Sequence, residues 1–346
     1  MSNKPTISVI IPCRNEEKYI GQCLDSLLRQ KYDINNVEIL IIDGMSTDNT
    51  RNIIKNFIKE YPNIKLFDNP GKTVPYALNI GIANSKNDYI IRMDAHCKYE
   101  KSYISELIRW SKQLDADNVG GRFITIPGSE SIIAKCISVV SKHSFGIGNS
   151  LYRIGLSDVK EVDTVPFGCF KRELFGKIGL FDTDLPRNQD DEFNARIRKN
   201  GGKIYLIPSI KIIYYARTSF KKLAIMYYQY GYFKPLAVKK VRGSITIRQL
   251  VPAIFVLSLL TSGILSFFSQ YIFGVFIGIL GLYSIANLLI SICLAMKENI
   301  LLVFGLPVAF AILHFSYGIG YLKGFIDFIV LNKHKKKKIK DINISR

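Results

Sequence analysis

The sequence has no closely spaced cysteine pair, no glycine-rich phosphate loop and few acidic residues for its size. Its six cysteines never occur as C-x-x-C, which argues against a zinc ribbon or a thioredoxin-like site and fits a reducing compartment. Neither G-x-x-x-x-G-K-[ST] nor G-x-G-x-x-G follows the first predicted strand, so a P-loop NTPase and a dinucleotide dehydrogenase lose their main support. Glycine and proline are present at ordinary levels, which excludes collagen-like and proline-rich chains.

The shortage of acidic residues leaves a formal net charge of +19 on 346 residues, with 47 Lys and Arg against 28 Asp and Glu. Hydrophobic residues make up 48% and charged residues 22%, so the chain is not a disordered polyelectrolyte. Its length predicts about two domains. We attribute the basic excess to attraction toward anionic membrane lipid and not to nucleic acid, because no nucleic-acid-binding motif is present.

Charged residues are missing altogether from two stretches near the C-terminus. Residues 249–296 and 299–322 contain no Asp, Glu, Lys or Arg. About 20 apolar residues suffice for a helix to cross a bilayer. We therefore predict a transmembrane region over residues 249–331. Its predicted spans lie at about 249–268, 271–296 and 300–322.

The basic residues on either side of this region create a conflict over orientation. Four of them lie within 239–248, and six lysines lie within 333–340. The positive-inside rule places both groups in the cytoplasm, whereas three spans would place them on opposite sides. Either one apolar segment lies in the interface or residues 323–331 belong to a fourth, broken span. Because the N-terminus has no hydrophobic leader, we expect residues 1–248 to be cytoplasmic, with a basic cytoplasmic tail at 332–346 and multi-pass anchoring in the inner (plasma) membrane.

The first half of the chain alternates short β-branched runs with helical patterns, which predicts an α/β domain over residues 1–213 with a largely parallel sheet covered by helices. The predicted strands are residues 7–11, 37–42, 64–67 and 89–93. A first helix is predicted to begin near Glu16 and Glu17, because acidic residues suit a first helical turn. Two further helices are predicted over residues 48–60 and 74–83.

Polar residues follow three of these strands. Pro12, Arg14 and Glu16 come after the first strand, Asp43 ends the second, and Asp94 and His96 come after the fourth. Ligands of such sheets bind beyond the carboxyl ends of the strands. The sequence therefore predicts a polar, mostly acidic site at this edge.

Four motifs in order carry a family resemblance. They are Ser-Val-Ile-Ile-Pro-x-Arg-Asn-Glu-Glu at 8–17, Ile-Ile-Asp-Gly-x-Ser-Thr-Asp at 41–48, Leu-Asn-Ile-Gly at 78–81 and Arg-Met-Asp-Ala-His at 92–96. Together they resemble the inverting, GT-A-type family 2 glycosyltransferases. The likeness is greatest to the succinoglycan-biosynthesis branch, which reads D-A-H where most families read D-x-D. It extends over about 7–250 and implies a Rossmann-like GT-A domain with a mixed, mostly parallel sheet, followed here by an α-helical transmembrane region.

The resemblance implies a nucleotide-sugar donor, UDP-linked, held with a divalent cation. Asp94 and His96 would bind Mn²⁺ or Mg²⁺, and the imidazole should favour Mn²⁺. The donor-binding residues implied by position are Pro12, Arg14 and Glu16 beside the nucleotide, Asp43 at the uracil or ribose, Lys72 near the diphosphate, and Asp94.

A second acidic motif implies the catalytic base. Arg187-Asn-Gln-Asp190 resembles the family's Arg-Asn-Glu-Asp, with Gln189 in place of the usual Glu. By position Asp190 takes the acceptor proton, and Asp191 points about 100° away on the same helix. One base and no placed nucleophile imply direct displacement with inversion, so an α-linked donor gives a β-linked product.

Residues 214–248 mix aromatic rings with lysines, which is typical of helices in the headgroup region. We expect them to hold the active site near the inner leaflet, where a lipid-linked glycan of exopolysaccharide or surface-polysaccharide assembly presents its sugar. Three alternatives stay open: transfer onto polyprenyl phosphate itself, a non-catalytic membrane scaffold that binds nucleotide sugars, and a nucleotidyltransferase, which lacks its basic glycine-rich first loop here.

Overall fold

The computed structural model describes residues 4–241 and 246–333. The chain divides into two compact units. We call the described residues of Met1–Ile124 and Gly155–Tyr214 the sheet unit, and those of Thr125–Ile154 and Tyr215–Arg346 the helical unit. The division differs from the predicted first domain, because residues 125–154 fold with the helical unit.

Nine strands form one mixed sheet in the described part of the chain, in the order β3-β2-β1-β4-β8-β6-β9-β5 with β7 paired to β9. The strands are β1 (Ile7–Cys13), β2 (Val37–Asp43), β3 (Ile64–Asp68), β4 (Tyr89–Arg92), β5 (Cys97–Tyr99), β6 (Asn118–Ile126), β7 (Lys160–Glu161), β8 (Gly168–Lys171) and β9 (Ile204–Tyr215). The first four in space run parallel, and β8 pairs antiparallel with both β4 and β6. This mixed sheet confirms the predicted α/β class.

The central strands are buried because their side chains are apolar on both faces. Every residue of β1 and β4 is buried, and β2 exposes a side chain only in part at Glu38. The helices of the sheet unit are α1 (Ile20–Leu28), α2 (Thr50–Glu60), α3 (Val74–Asn84), α4 (Tyr103–Gln113), α8 (Glu173–Ile178) and α9 (Gln189–Lys199). Parallel β-α-β connections place the carboxyl ends of β1, β2, β3 and β4 at one edge of the sheet.

The four predicted strands and the second and third predicted helices agree with the structure to within two residues at each end. The prediction that Glu16 and Glu17 open the first helix is wrong, because α1 begins at Ile20. The backbone at Asn15 is left-handed (φ +55°), and the amides of both glutamates donate to side chains of the 44–50 loop. These bonds hold residues 14–17 as a loop at the sheet edge.

The helical unit contains α5 (Ile132–Val140), two single turns, α6 (Ser144–Ile147) and α7 (Leu151–Ile154), and then α10 (Phe220–Lys240), α11 (Ile247–Leu265), α12 (Gln270–Glu298) and α13 (Leu306–Phe325). Residues 125–154 belong here because α5 buries Cys136, Ile137 and Val140 against α13 residues such as Leu306 and Leu313. The interior of this unit is therefore apolar helix packing.

Helices α10 and α13 pack at backbone distance. A Cβ added at Gly320 would lie 2.2 Å from the carbonyl oxygen of Tyr228, and one added at Gly324 would lie 2.0 Å from that of Tyr232. Close approach of this kind requires residues without side chains. The aromatic stretch predicted to be interfacial is thus one long helix that is fixed against α13.

Two described helices, α11 and α12, are long and apolar enough to cross a membrane. Large apolar side chains on both are exposed, including those of Ile254, Ile264 and Leu282. The third predicted span falls on α13, which is not among the candidate spans of the described chain. Polar residues and glycines interrupt the apolar surface of α13, and the helix is packed against α10.

Candidate active site

Two loops at the carboxyl edge of the sheet are tied together by side-chain hydrogen bonds. The amide of Asn15 donates to Ser46 Oγ (2.9 Å), and Asn15 Oδ1 accepts from the amide of Thr47 (2.9 Å). The amide of Glu16 donates to Thr50 Oγ1 (2.7 Å). These bonds fix the loop after β1 against the loop after β2, so that both form one wall of the site.

Asp43 lies at the base of this wall and is fully buried. Its carboxylate accepts hydrogen bonds from the amide and hydroxyl of Ser46 and from Arg51 Nη1 (2.7 Å). The same Arg51 nitrogen donates to Asp68 at the end of β3 (2.7 Å). Burial, with Asp43 next in importance, raises the pKa of the neighbouring Cys13 thiol. Asp43 therefore orders the loops through bonds to the protein, and its oxygens are already engaged.

Asp94 and His96 follow β4 and lie beside Glu16. His96 Nδ1 is 3.5 Å from Asp94 Oδ1 and 3.4 Å from Glu16 Oε1. This nitrogen is buried and has no hydrogen-bond partner within residues 4–241 and 246–333. Glu16 itself is 5% exposed. The structure places the Glu16 carboxylate against the imidazole, and its predicted position beside the nucleotide stays a prediction.

The backbone of Asp94 is held from below by a buried tyrosine. The amide of Asp94 donates to Tyr99 Oη (2.6 Å), and the thiol of Cys23 contacts the Asp94 carbonyl (3.6 Å). Burial raises the pKa of Tyr99, so the phenol stays neutral. The turn after β4 is thereby fixed, and the Asp94 side chain is 23% exposed to solvent.

Asp190 lies in the first turn of α9. The helix starts after Asn188, whose backbone is left-handed (φ +61°). The Asp190 carboxylate forms an ion pair with Arg92, the last residue of β4. The next carboxylate, Asp191, points elsewhere and accepts from Thr164 Oγ1 (3.3 Å). The structure thus separates the two neighbouring acids in the way their positions on a helix require.

The surroundings of Asp190 act on the pKa of its carboxyl group in opposite directions. Burial raises the pKa of its carboxyl group, the charge of Arg92 and its hydrogen bond lower it, and Asp191 and Asp94 raise it further. The net pKa lies above the ordinary value for aspartate. A carboxylate with a raised pKa is a stronger proton acceptor than a free one.

Three further predicted donor residues lie at the same edge of the sheet, one in a strand and two on loops. Pro12 is in β1 opposite Ile42 and is buried. Arg14 is exposed, and its side chain covers Gly44, where an added Cβ would lie 3.2 Å from it. Lys72 is exposed on the loop after β3 with a left-handed backbone (φ +58°). All three stay predictions as donor contacts.

Sequence reasoning missed Arg92, Arg51 and Ser46. Arg92 stands inside the Arg-Met-Asp-Ala-His motif, and its signal was a charged residue closing an otherwise apolar strand. Ser46 stands inside the Ile-Ile-Asp-Gly-x-Ser-Thr-Asp motif, but its bond to Asp43 has no signal in one sequence, and Arg51 lies outside the four motifs. Both roles depend on the position of Asp43 after folding. The acidic residues at the sheet edge could thus be predicted from the sequence, but the residues that pair with them could not.

Comparison with known proteins identifies the family of this chain. The chain matches the Glycosyl transferase family 2 domain over residues 8–179. It is 33% identical over 334 residues to dolichyl N-acetyl-alpha-D-glucosaminyl phosphate 3-beta-D-2,3-diacetamido-2,3-dideoxy-beta-D-glucuronosyltransferase of Methanococcus voltae, covering 92% of this chain and 97% of that protein. This chain belongs to glycosyltransferase family 2. The glycosyltransferase is also 28% identical to the succinoglycan biosynthesis protein ExoA of Rhizobium meliloti, over 70% of its own length and 73% of ExoA.

Among solved structures, the glycosyltransferase resembles the mannosyltransferase PcManGT from Pyrobaculum calidifontis, solved with GDP-Man and Mn²⁺. The TM-score is 0.60 at 15% identity, with 93% of this chain and 88% of that chain covered. A similarity at this identity speaks for the fold alone. The predicted GT-A fold, the predicted family and the predicted glycosyltransferase activity are thus confirmed.

Proposed function

We propose that this glycosyltransferase moves a sugar from a nucleotide-sugar donor, UDP-linked, to a lipid-linked glycan by direct displacement. The observation that carries the proposal is the arrangement of acids at one edge of the sheet. Asp94 with His96 follows β4, and Asp190 is paired to the last residue of the same strand. A cation-binding pair and a base within one cleft are what a one-step transfer needs.

The chemistry of the donor set fits a divalent cation. His96 Nδ1 is buried, lacks a hydrogen-bond partner in the described chain, and lies within 3.5 Å of two carboxylate oxygens. No group of three or more His, Cys, Asp and Glu side chains in the described residues could hold a metal ion by itself. Asp94 and His96 would therefore share the ion with donor phosphates, as is usual for Mg²⁺. When bound, the cation neutralises the charge that develops on the diphosphate.

The donor side of the cleft is the wall built by the loops after β1, β2 and β3. Pro12 near the end of β1, and Arg14 and Lys72 on the loops after β1 and β3, remain candidates for direct contact with the donor. Asp43 serves the donor indirectly, because it is buried and bonded to Ser46 and Arg51. Glu16 orients His96, because its carboxylate faces the imidazole at 3.4 Å.

Asp190 acts as the base. The acceptor O–H bond breaks and its proton passes to Asp190, while the oxygen bonds to the anomeric carbon and the nucleoside diphosphate departs. The neighbouring carboxylate of Asp191 is turned toward Thr164 and is not assigned a part in the reaction, so the proposed step uses one base and no nucleophile of the protein. The anomeric carbon therefore inverts once, and an α-linked donor yields a β-linked product.

The acceptor assignment rests on the relatives. The Methanococcus voltae relative is by name a transferase onto a dolichyl phosphate-linked N-acetylglucosamine, and the second relative is by name a succinoglycan biosynthesis protein. The first name indicates an acceptor sugar on a lipid carrier, and the second indicates a role in making a polysaccharide. We infer a lipid-linked glycan acceptor for this chain, in surface-polysaccharide or exopolysaccharide assembly.

Two membrane helices would remove the conflict over orientation. If α11 and α12 form a transmembrane hairpin, the chain before Ile247 and the chain after Glu298 lie on the same side. The basic residues of α10 (Lys239, Lys240) and the lysine-rich sequence 333–340 then both face the cytoplasm, in accord with the positive-inside rule. The structure of residues 334–346 lies outside the described part.

The test is a screen of UDP-sugars by nucleotide release on membranes that carry the protein, with Asp190→Asn and Asp191→Asn compared. Asp190→Asn should lower transfer by roughly 10²–10⁴-fold, the range for loss of a general base, and leave UDP binding intact. Asp191→Asn is the matched control and should keep most of the activity. Near-normal turnover by Asp190→Asn would refute the assignment of the base.

A further inference from the structure

Arg92 connects the strand that precedes the cation-binding pair to the helix that carries the base. It is the last residue of β4, is 5% exposed, and pairs in register with Gly168 of β8. Its Nη1 donates to Asp190 Oδ1 on α9. Two residues later the chain reaches Asp94. One short segment therefore bears both the proposed cation ligands and the partner of the proposed base.

The guanidinium is held from behind by an aromatic ring. Its central carbon lies 5.3 Å from the ring centroid of Phe167, a residue with a left-handed backbone (φ +64°). The Phe167 ring packs on Phe123, and Phe123 stacks on Tyr214 with ring centroids 4.9 Å apart. Tyr214 meets the ring of His96 edge to face at 5.6 Å. A continuous row of rings thus supports the group that holds Asp190 and the imidazole of His96.

The charges around Asp190 make Arg92 more than a packing residue. The charged groups that act on Asp190 are Arg92 and Asp94 from the β4 side and Asp191 from its own helix. Arg92 is the positive member of this set. Its Nε is buried without a hydrogen-bond partner in the part of the chain that the structure describes, so the guanidinium interacts with the carboxylate through Nη1.

We propose that Arg92 is a positioning residue, which binds one carboxylate oxygen of Asp190 and thereby aims the other at the acceptor hydroxyl. The proposal rests on the proposed function, in which Asp190 takes the acceptor proton. Arg92 neither gives nor receives that proton. A residue acting in this way affects turnover and leaves the binding of the nucleotide unchanged, whereas a ligand of the donor diphosphate would affect binding.

The experiment compares Arg92→Gln, Arg92→Lys and a control, Arg109→Gln, in the full-length protein. Arg109 makes an exposed ion pair with Glu106 on α4, a helix that carries none of the site residues named above. We expect Arg92→Gln to lower kcat by roughly 10–100-fold, because misplacing a catalytic group by about 1 Å costs this much. Donor KM and the affinity for UDP with Mn²⁺, measured by calorimetry, should change less than about twofold. Arg92→Lys should recover part of kcat, and Arg109→Gln should match the unmodified protein.

A loss of UDP affinity with unchanged kcat in Arg92→Gln would overturn the proposal, and so would an unchanged kcat with unchanged affinity. If the Arg92 variants fail to fold, Phe167→Leu decides the matter, since it keeps the ion pair and removes the ring behind it. A several-fold fall in its kcat at constant UDP affinity supports the proposal, and an unchanged kcat overturns it.

Failure of this proposal can be told from failure of the proposed function. If Asp190→Asn turns over normally, the base itself is assigned wrongly. If Asp190→Asn is inactive and Arg92→Gln is normal, only the role of Arg92 fails. In the double variant Arg92→Gln with Asp190→Asn, activity should equal that of Asp190→Asn alone, because Arg92 acts through that carboxylate. A further loss in the double variant would contradict the proposal.

Discussion

In the sheet unit, charged side chains are buried at the strand ends with specific partners, whereas in the helical unit the long helices α11 and α12 leave apolar side chains exposed. Asp43 is buried with Arg51, and Asp190 is paired with Arg92. In contrast, the side chains of Ile254 on α11 and Leu282 on α12 are exposed. The first arrangement costs desolvation, which the ion pairs offset in part. In the second, α11 and α12 are long and apolar enough to cross a membrane, and exposed apolar side chains of this kind are stable in a lipid phase. The proposed function explains the difference, because it assigns the chemistry to the sheet unit and membrane anchoring to the helical unit.

Among the changes that probe this contrast between the two units, removal of the cation-binding carboxylate should have the largest effect, and it tests the sheet unit. Asp94→Asn, or a chelator added to the unmodified protein, should lower transfer by about 10²–10³-fold, the usual loss when charge stabilisation at the reacting group is removed. Mn²⁺ should restore the chelated protein but not the variant. Nucleotide release measures both. Full activity in the presence of chelator would show that this edge works without a cation.

A large side chain placed where α10 and α13 approach most closely tests the packing of the helical unit. Gly320→Leu would force a side chain into the carbonyl of Tyr228 and should destabilise the fold by about 1–3 kcal/mol or more. Gly281→Leu on α12 is the matched control, because nothing lies within 4 Å of a Cβ added there. Thermal unfolding in detergent compares them. Equal stability of both variants would contradict the packing described for α10 and α13.

Loss of the ion pairs between Arg51 and the two carboxylates of Asp43 and Asp68 should destabilise the protein less than Gly320→Leu does. We call these three residues the Asp43 corner. Arg51→Gln leaves the buried Asp43 carboxylate with Ser46 and the Cys13 thiol as hydrogen-bond partners within the described residues, but with no counter-ion from Arg51, and we expect a loss of roughly 1–2 kcal/mol in stability. Because this corner orders the donor wall, the donor KM should rise while kcat stays near its original value. A donor KM that does not change would show that the wall holds its shape without the arginine.

The smallest effect concerns Asp48, which ties the two loops together. It accepts from the amides of Thr50 (3.0 Å) and Glu17 (3.2 Å), and these bonds lower its pKa although burial opposes them. A lowered pKa in the folded state contributes stability that is present above the unfolded value of about 4 and is lost as pH falls through the folded pKa. We expect Asp48→Asn to be less stable by roughly 1 kcal/mol at neutral pH.

That difference should shrink when unfolding is followed by circular dichroism below about pH 4. A gap between Asp48→Asn and the unmodified protein that stays constant from neutral pH to pH 3 would contradict the role given to Asp48.

The sequence was sufficient for the fold and for the acids, because both have local signals. Buried β-branched runs gave the strands, and carboxylates directly after them gave Asp43 and Asp94. The partners of these acids could not be predicted, because their contacts form only after folding. Arg51 meets Asp68 of β3, and Arg92 meets Asp190 of α9, only when these elements pack together. The division at residues 125–154 was missed for the same reason: α5 is an ordinary amphipathic helix, and only long-range packing on α13 assigns it to the helical unit.

The most direct measurement is Mn²⁺ binding by electron paramagnetic resonance, with UDP present, to the unmodified protein and to His96→Ala, Asp94→Asn and Asp190→Asn. The first two variants should lose the bound-ion signal, and Asp190→Asn should retain it. Binding by His96→Ala and Asp94→Asn at the affinity of the unmodified protein would contradict the assignment of Asp94 and His96, because the cation would then lie elsewhere than at the end of β4.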